Sequence, residues 1–434
     1  MQVEFRPCDD EVEILMQNSK ILIKGRNKLA GTVSVSGAKN AALPELAAVV
    51  LSPGRFAFSN VPKVKDIHVL LKALKNLGAE FQLTGNTVDI QLETLCSGLV
   101  PPEIVETTRA SVLLLGPLLA RHGYAKVSMP GGCPIGDRKI NYHIDGLEKM
   151  GASIRFEEGH IIAEAPRLKA IDFRFPGKTV TGTENLVMAA SLAEGTTILR
   201  NCALEPEIGD LVQLLVSMGA DIRADDPGTL VIEGKTSLSG ATHSIIPDRI
   251  EMGTYVIAGC LEDNDIKIEN AAPHYIDSLL NILKEMGCDI HVDGDSMAVR
   301  SCGELKPVRV ETEPYPGFPT DLQAQLTTLL TQAEGTSQVV EHIFNDRFQH
   351  ALELNKLGAD IHLRGNTAVI NGKSPFKGRD LRATDLRASA ALVLGGLIAE
   401  GETVVHNAYQ LFRGYENMPE KLQKLGACVK IVDS

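Results

Sequence analysis

Cys133 stands in Pro130-Gly131-Gly132-Cys133-Pro134-Ile135-Gly136-Asp137-Arg138, nine residues holding three glycines and two prolines. Glycine adds backbone entropy and proline removes a donor, so this is a loop and not the interior of a helix or central strand. A thiol there rides on a segment able to move. Arg138 lies close enough to favour the thiolate, and a cation can bring a thiol down from about 8.5 to roughly 3.5–7.5. Asp137 pushes the other way. Two readings stand: a reactive cysteine, or the small buried hydrophobe that a free cysteine ordinarily is.

Further residues able to do chemistry recur at one place in a pattern. Counted back from a glycine that ends an apolar helical run, Lys39 precedes Gly54 by 15 residues, and Arg109, Asp321 and Arg387 precede Gly123, Gly335 and Gly401 by 14. Thr181 holds the same place before Gly195. The slot is the first turn of a helix, where the dipole attracts anions and disfavours Lys39, Arg109 and Arg387, so an anionic ligand would offset them. The alternative is a set of solvated helix-start charges. A second slot, before each amphipathic helix, adds Arg138, Arg347 and Arg413. Guanidinium groups bind phosphate and carboxylate in a fork, and a common cleft for these side chains would be specialised for such groups. No Gly-x-x-x-x-Gly-Lys loop is present, which speaks against ATP-type recognition. Asp321 is the lone carboxylate of the set, either an ion-pair partner or a general base. The eleven histidines show no metal-ligand spacing and read as surface or core.

The elements that must position these residues form a repeat. A Leu/Met-Gly-Ala/Cys step followed by a strand recurs at Gly78, Gly151, Gly219, Gly287, Gly358 and Gly426, at spacings of 73, 68, 68, 71 and 68. An amphipathic helix precedes each glycine, with Ile67, Leu70, Leu71, Leu74 and Leu77 in the first copy and Ile276, Leu279, Leu280, Leu283 and Met286 in the fourth on one face. Hairpin strands follow, such as Ala79–Leu83 with Thr87–Gln91 and Ala359–Leu363 with Thr367–Ile370. The unit is strand, apolar helix, strand, amphipathic helix, strand, strand, and the apolar helix should be the buried one. From the glycine after the apolar helix to the next step is 23–25 residues in copies one, three, five and six but 28 in copy two. The excess falls at Pro130–Arg138, which therefore reads as a functional insertion on a regular scaffold.

Composition bounds the rest. The chain of 434 residues has room for two or three domains. Its 43 basic and 55 acidic residues leave a net charge of −12, unsuited to general nucleic-acid binding. Eight scattered cysteines without a Cys-x-x-Cys pair argue against a zinc ribbon or disulfide framework and fit a reducing cytosol. Acidic residues interrupt the N-terminus, so no secretory segment opens it, and the apolar stretch around Ala110–Ala120 is too short to span a bilayer. Residues 1–18 read as an N-terminal arm.

Seven stretches together resemble the enolpyruvyl transferase family, in its UDP-N-acetylglucosamine 1-carboxyvinyltransferase branch. They are Ser36-Gly37-Ala38-Lys39-Asn40-Ala41-Ala42, Thr108-Arg109-Ala110-Ser111, the Pro130–Arg138 loop, Pro319-Thr320-Asp321-Leu322-Gln323-Ala324-Gln325, Asn345-Asp346-Arg347-Phe348, Thr384-Asp385-Leu386-Arg387-Ala388-Ser389 and Arg413-Gly414-Tyr415-Glu416. The likeness runs from about Ser19 to the C-terminus. It implies an α/β fold of two domains, an inside-out α/β barrel with helices inside and three βαβαββ-type repeats per domain. Domain I would be 39–246 and domain II 19–38 with 247–434, the strand around Ile21–Lys24 joining the latter. The implied reaction moves the enolpyruvyl group of phosphoenolpyruvate to the 3-hydroxyl of UDP-N-acetylglucosamine and releases phosphate, the first committed step of peptidoglycan precursor synthesis. No metal or redox cofactor, nucleic acid or membrane insertion is implied, and the location would be cytoplasmic.

Roles carry over by position. Lys39, Arg138 and Arg413 would hold the phosphate, with Arg387 nearby; Asn40 and Asp321 would address the sugar, Asp321 taking the hydroxyl proton. Cys133 resembles the general acid that protonates the enol methylene, can carry a covalent phospholactoyl adduct, and would be alkylated by fosfomycin. Arg109, Arg138, Lys139, Ile140, Asn141, Tyr142, Lys178, Thr179, Val180, Thr181 and Ile343 resemble uridine-sugar contacts, and Arg347 a support behind them. Three positions depart from the family pattern: Lys139 and Asn141 replace a proline and an aspartate, and Phe412 replaces an aspartate. Rival readings are an enolpyruvyl transferase acting on another UDP-sugar or on shikimate 3-phosphate, and a catalytically silent sugar-nucleotide sensor.

Overall fold

In the computed structural model, which describes residues 19–100, 110–129, 140–301 and 303–432, the apolar and amphipathic runs become two kinds of helix. The chain divides into two units, one formed by the described residues of 37–246 and the other by 19–36 with 247–432. In the 37–246 unit the helices are α1 (Lys39–Ala48), α2 (Lys65–Asn76), α3 (Leu115–His122), α4 (Asn141–Lys149), α5 (Val180–Ala190) and α6 (Pro206–Ser217). In the other they are α7 (Arg249–Cys260), α8 (Asp277–Met286), α9 (Gln323–Leu330), α10 (Gln349–Leu357), α11 (Leu386–Ile398), the short α12 (Tyr409–Phe412) and α13 (Met418–Lys424).

The apolar helices are inside. Every residue of α7 and α11 is buried. The strands alternate, with one face outward, as in Glu80–Thr84. The amphipathic helices bury one stripe each: Ile67, Leu70, Leu71, Leu74 and Leu77 are all buried, as are Ile276, Leu279, Leu283 and Met286. At about 1.5–3 kcal/mol per large apolar side chain, these stripes hold the units together. Each unit has its own hydrophobic core. Among the described residues no helix is long and apolar enough to cross a membrane.

The described strands form six sheets, three in each unit, and five of them follow one plan, in which a strand from a neighbouring copy lies parallel at one edge and the copy's own strands continue antiparallel. Thus Asp172–Arg174 runs parallel to Thr196–Arg200, which pairs antiparallel with Thr229–Glu233, and Arg309–Glu311 runs parallel to Gly335–Val340. The sheet of Tyr124–Ser128, His160–Glu164 and Ser153–Glu157 is antiparallel throughout, with a single parallel bridge between Leu99 and Lys126 at its edge. Thr242–Ser244 pairs back onto Gly54–Ser59, closing the three copies of the 37–246 unit into a ring. In the other unit Ala30–Ser34 pairs with Asp265–Glu269. Lys20–Lys24 sits between Glu402–His406 and Cys428–Val432, so the sixth copy takes its last strand from the opposite end of the chain.

Two details revise the repeat as read from spacing. Only Gly123 directly caps an apolar helix. Gly54, Gly195, Gly335 and Gly401 lie farther on, at positive φ where the chain turns into the strand, because a left-handed residue is needed at that reversal. In copy four Glu262 takes the positive φ and Asn264 ties the corner, accepting from Leu29 N at 2.7 Å and donating to Ala258 O at 2.8 Å. A second recurrent signal is asparagine. Asn60, Asn201, Asn270 and Asn407 all hold positive φ just after a sheet strand. Each donates its amide to a carbonyl by the parallel edge strand, namely Ile245, Phe175, Val35 and Ala383.

Candidate active site

Helix α1 begins at Lys39 with no side-chain cap, since Ala38 precedes it. Gly37 is required there, because a Cβ would overlap the carbonyl of Asn60. Lys39 is buried, and its Nζ lies 3.2 Å from Asp66 Oδ2 in the first turn of α2. Asn40 follows, half-buried. The positive charge at this helix start is therefore met in part by a carboxylate of the chain itself.

Beside it in sequence order come two stretches that the fold joins. Ile140 precedes α4 and Asn141 and Tyr142 open it, while Lys178 and Thr179 lead into α5, which starts with Val180 and Thr181. Tyr142 lies against Gly177, its hydroxyl 3.1 Å from where a Cβ would stand. Thr179 caps α5, accepting from Gly182 N at 3.2 Å, and Lys178 Nζ donates to Cys202 O at 2.7 Å.

His143 and Thr181 lock the two stretches together, and the bonds fix the tautomer. Asn185 Oδ1 accepts from Gly116 N at 2.6 Å, so its amide donates both to Val112 O at 2.6 Å and to His143 Nδ1 at 2.9 Å. Nδ1 is thus the acceptor and Nε2 carries the hydrogen, which points to Thr181 Oγ1 at 3.1 Å. The Thr181 hydroxyl proton is left to donate elsewhere. Sequence spacing offered no sign of His143, Asn185 or Asp66; their partners are distant in the chain.

In the other unit Asp321 is the hub. It lies in the 3-10 turn Thr320–Leu322 that leads into α9. Arg387, from the first turn of α11, reaches its Oδ2 with Nη2 at 2.8 Å and Nε at 3.1 Å. Arg347, just before α10, reaches Oδ1 with Nη2 at 2.7 Å and Thr320 Oγ1 with Nη1 at 3.1 Å. Burial would raise the Asp321 carboxyl, but the two guanidiniums outweigh it and hold it well below the usual carboxylate range. The same pairing raises Arg387 against its burial.

Supports surround the hub. Asp385 caps α11, accepting from Arg387 N and Ala388 N. Arg387 stacks over the Tyr415 ring at 5.4 Å, and the Tyr415 hydroxyl meets Gln325 Nε2 at 2.9 Å and Thr254 Oγ1 at 3.0 Å. Glu341, buried, accepts from Thr320 Oγ1, Thr312 Oγ1, Ile343 N and Phe344 N, so it places Ile343 and the Asp321 turn at once. Arg413 is buried with Nη1 3.3 Å from Gln410 Oε1. His350 is buried nearby, its pKa pushed down to about 4 by burial and Arg347 against the pull of Asp385.

Within this unit the structure gathers Asp321, Arg347, Arg387 and Ile343; within the other it gathers Ile140, Asn141 and Tyr142 with Lys178, Thr179, Val180 and Thr181. Arg109, Cys133, Arg138 and Lys139 lie outside the described residues. Asp321 is an ion-pair partner here, and among the described helix-start cations Lys39 meets Asp66 and Arg387 meets Asp321, so carboxylates of the chain share the offset expected of an anionic ligand. Copy four also fills the slot, which the glycine count missed because it has no glycine there: Arg249 opens α7, stacked 5.7 Å over Tyr315, with Asp248 as the cap. The histidines do not all stand apart either. His243 meets two carboxylates, Asp210 and Glu45, the one group among the described residues with the geometry to hold a metal ion.

The profile of the EPSP synthase (3-phosphoshikimate 1-carboxyvinyltransferase) family matches residues 23–422. The UDP-N-acetylglucosamine 1-carboxyvinyltransferase of Koribacter versatilis is 51% identical over 415 residues, 95% of this chain and 96% of its own. That of Magnetococcus marinus is 47% identical over 413 residues, 95% and 99%. Among solved structures, the enolpyruvyl transferase NikO from Streptomyces tendae superposes with a TM-score of 0.88 at 27% identity, covering 96% of this chain and 99% of that one. An EPSP synthase from Acinetobacter baumannii, at 18% identity and a TM-score of 0.73 over 96% and 100%, shares the fold.

Proposed function

We infer, because the chain belongs to the EPSP synthase family of 1-carboxyvinyltransferases, that it transfers the enolpyruvyl group of phosphoenolpyruvate to the 3-hydroxyl of UDP-N-acetylglucosamine. Phosphate leaves, and the product is the enolpyruvyl ether that opens peptidoglycan precursor synthesis. The observation that carries the acceptor is the 51% identity, across 95% of the chain, to a relative of that name. A cytoplasmic location fits this reading.

The chemistry asks for three things. The sugar hydroxyl must lose a proton as its oxygen attacks C2 of phosphoenolpyruvate, C3 must gain one, and phosphate must then leave as C3 gives a proton back. Asp321 is our candidate for the first. With both guanidiniums on it, it is a weak base; an anionic substrate that draws Arg387 away raises its basicity at the moment it is needed. Cys133 is the candidate acid for C3. Lys39, Arg138, Arg413 and Arg387 hold the phosphate, and guanidinium forks stabilise its growing charge as it leaves. Asn40 and Asp321 address the sugar. Arg109, Arg138, Lys139, Ile140, Asn141, Tyr142, Lys178, Thr179, Val180, Thr181 and Ile343 take the nucleotide, and Arg347 holds Asp321 from behind. The boundaries 39–246 and 19–38 with 247–434 remain our division into catalytic domains.

The test is phosphate release from phosphoenolpyruvate with UDP-N-acetylglucosamine, UDP-glucose or shikimate 3-phosphate, with and without fosfomycin. Release with the first alone, abolished by fosfomycin, is the expected result. Release with another acceptor overturns the acceptor, an outcome to which the substitutions at Lys139 and Asn141 give a physical route. Binding of sugar nucleotide with no release in any arm returns the sensor reading. Cys133→Ala should lose turnover far more than sugar-nucleotide affinity, read by kcat beside equilibrium binding; equal loss removes the thiol from the proton step.

A further inference from the structure

Helices α1 and α6 and the edge strand Thr242–Ser244 meet at a buried charged group that the reaction does not use. Glu45, Asp210 and His243 each offer one ligand atom, and these atoms lie within 4.8 Å of one another. His243 Nε2 is 2.9 Å from Asp210 Oδ1 and 3.6 Å from Glu45 Oε1. The two carboxylate side chains are 2% and 0% exposed, and the imidazole 11%.

One imidazole N–H can serve only one of two carboxylates. Asp210 takes it, and its other oxygen accepts from Ile246 N at 3.0 Å. Glu45 is left: neither of its oxygens has a hydrogen-bond partner, though the side chain is wholly buried. A buried carboxylate in that position requires a proton or a cation, and His243, whose pKa the two carboxylates raise to about 10 against its burial, brings only one positive charge to the pair. Burial, and Asp210 beside it, push Glu45 well above the ordinary range despite His243. More acid lies close by. Glu184 is likewise raised, first by burial and then by Glu207, Glu205 and Glu45.

We propose that Glu45, Asp210 and His243 form a structural site for one divalent cation of the zinc(II) class, with water as fourth ligand on the side where the imidazole reaches solvent. Bonds of roughly 2.0–2.1 Å at tetrahedral angles put ligand atoms about 3.3 Å apart, between the two separations seen here. One imidazole nitrogen with two carboxylate oxygens suits zinc, whereas magnesium keeps several waters of its own. The Ile246 N–H on Asp210 supplies the outer bond that orients a ligand. On binding, the Nε2 proton and any proton on Glu45 pass to solvent, so affinity falls as the pH is lowered. The ion would clamp α1, which carries Lys39 and Asn40 at its start, to α6 and to the strand that closes the ring of three sheets.

Cobalt(II) titration of chelator-treated full-length protein tests this. One equivalent should bind with the strong visible d–d absorption of four-coordinate cobalt(II) and no thiolate-to-cobalt charge transfer, zinc(II) should displace it, and the melting temperature should rise. Glu45→Gln and His243→Gln should each weaken that equivalent at least tenfold while keeping the wild-type circular dichroism. Absence of a saturable site overturns the proposal and leaves a protonated Glu45 in its place. A charge-transfer band, or binding unchanged in both variants, overturns it as well by placing the metal on cysteine or elsewhere.

Discussion

Asp321 and Glu45 are carboxylates at the same kind of place, beside or within an apolar helix, and they behave in opposite ways. Asp321 faces two guanidiniums and is held well below the usual range; Glu45 faces another carboxylate and one imidazole and is held well above it. Burial acts on both in one direction. The number of cations within reach decides the outcome, because each nearby charge is worth more where water is excluded. The unit of 247–432 thus stores a charged, fully paired carboxylate for use, and the unit of 37–246 stores an acid that is neutral or waiting for an ion.

The comparison breaks most visibly at Asp321. Asp321→Asn leaves Arg347 and Arg387 facing each other unpaired, and should cost about 10²–10⁴-fold in kcat and roughly 3 kcal/mol of stability. Steady-state phosphate release and urea unfolding would read the two effects, and wild-type turnover in the variant would remove Asp321 from the proton transfer. His350 sharpens the cationic side. Its pKa of about 4 against an ordinary 6.5 means that the unfolded chain binds the extra proton first. Its contribution is complete above about 6.5 and is lost as the pH falls toward 4, by roughly 3 kcal/mol in all. Unfolding free energies of wild type and His350→Gln across that window should converge at the acid end. Parallel curves would place a charged imidazole beside Arg347.

Smaller effects belong to the other unit. His143→Gln should raise the KM for sugar nucleotide about fivefold with kcat little changed, the worth of one hydrogen bond set through Thr181. A fall in kcat alone would give His143 a different part. Smallest of all, Glu45→Gln in chelator-treated protein should shift stability by less than about 1 kcal/mol, since an amide replaces a carboxyl that already holds a proton. A loss as large as that of Asp321→Asn would show Glu45 charged and paired, and the contrast between the two carboxylates would vanish.

What the sequence determined by itself is whatever repeats at short range. The period near 70 residues, the apolar face of Ile67 to Leu77, the hairpins and the helix-start slot of Lys39, Asp321 and Arg387 all follow from spacing, because helix and strand periodicity is local. The seven stretches that resemble the enolpyruvyl transferases carried the reaction for the same reason: each is a few consecutive residues. Tertiary structure decided the partners. Asp66 meets Lys39 across 27 positions and Arg387 meets Asp321 across 66. Asn185 sets the His143 tautomer across 42, and His243 joins Asp210 across 33. Lys20–Lys24 completes a sheet with Glu402–His406 from the other end of the chain. A charge on a helix start can be read from its neighbours in sequence; whether it is paired, protonated or waiting for a ligand depends on what the fold brings within a few ångströms.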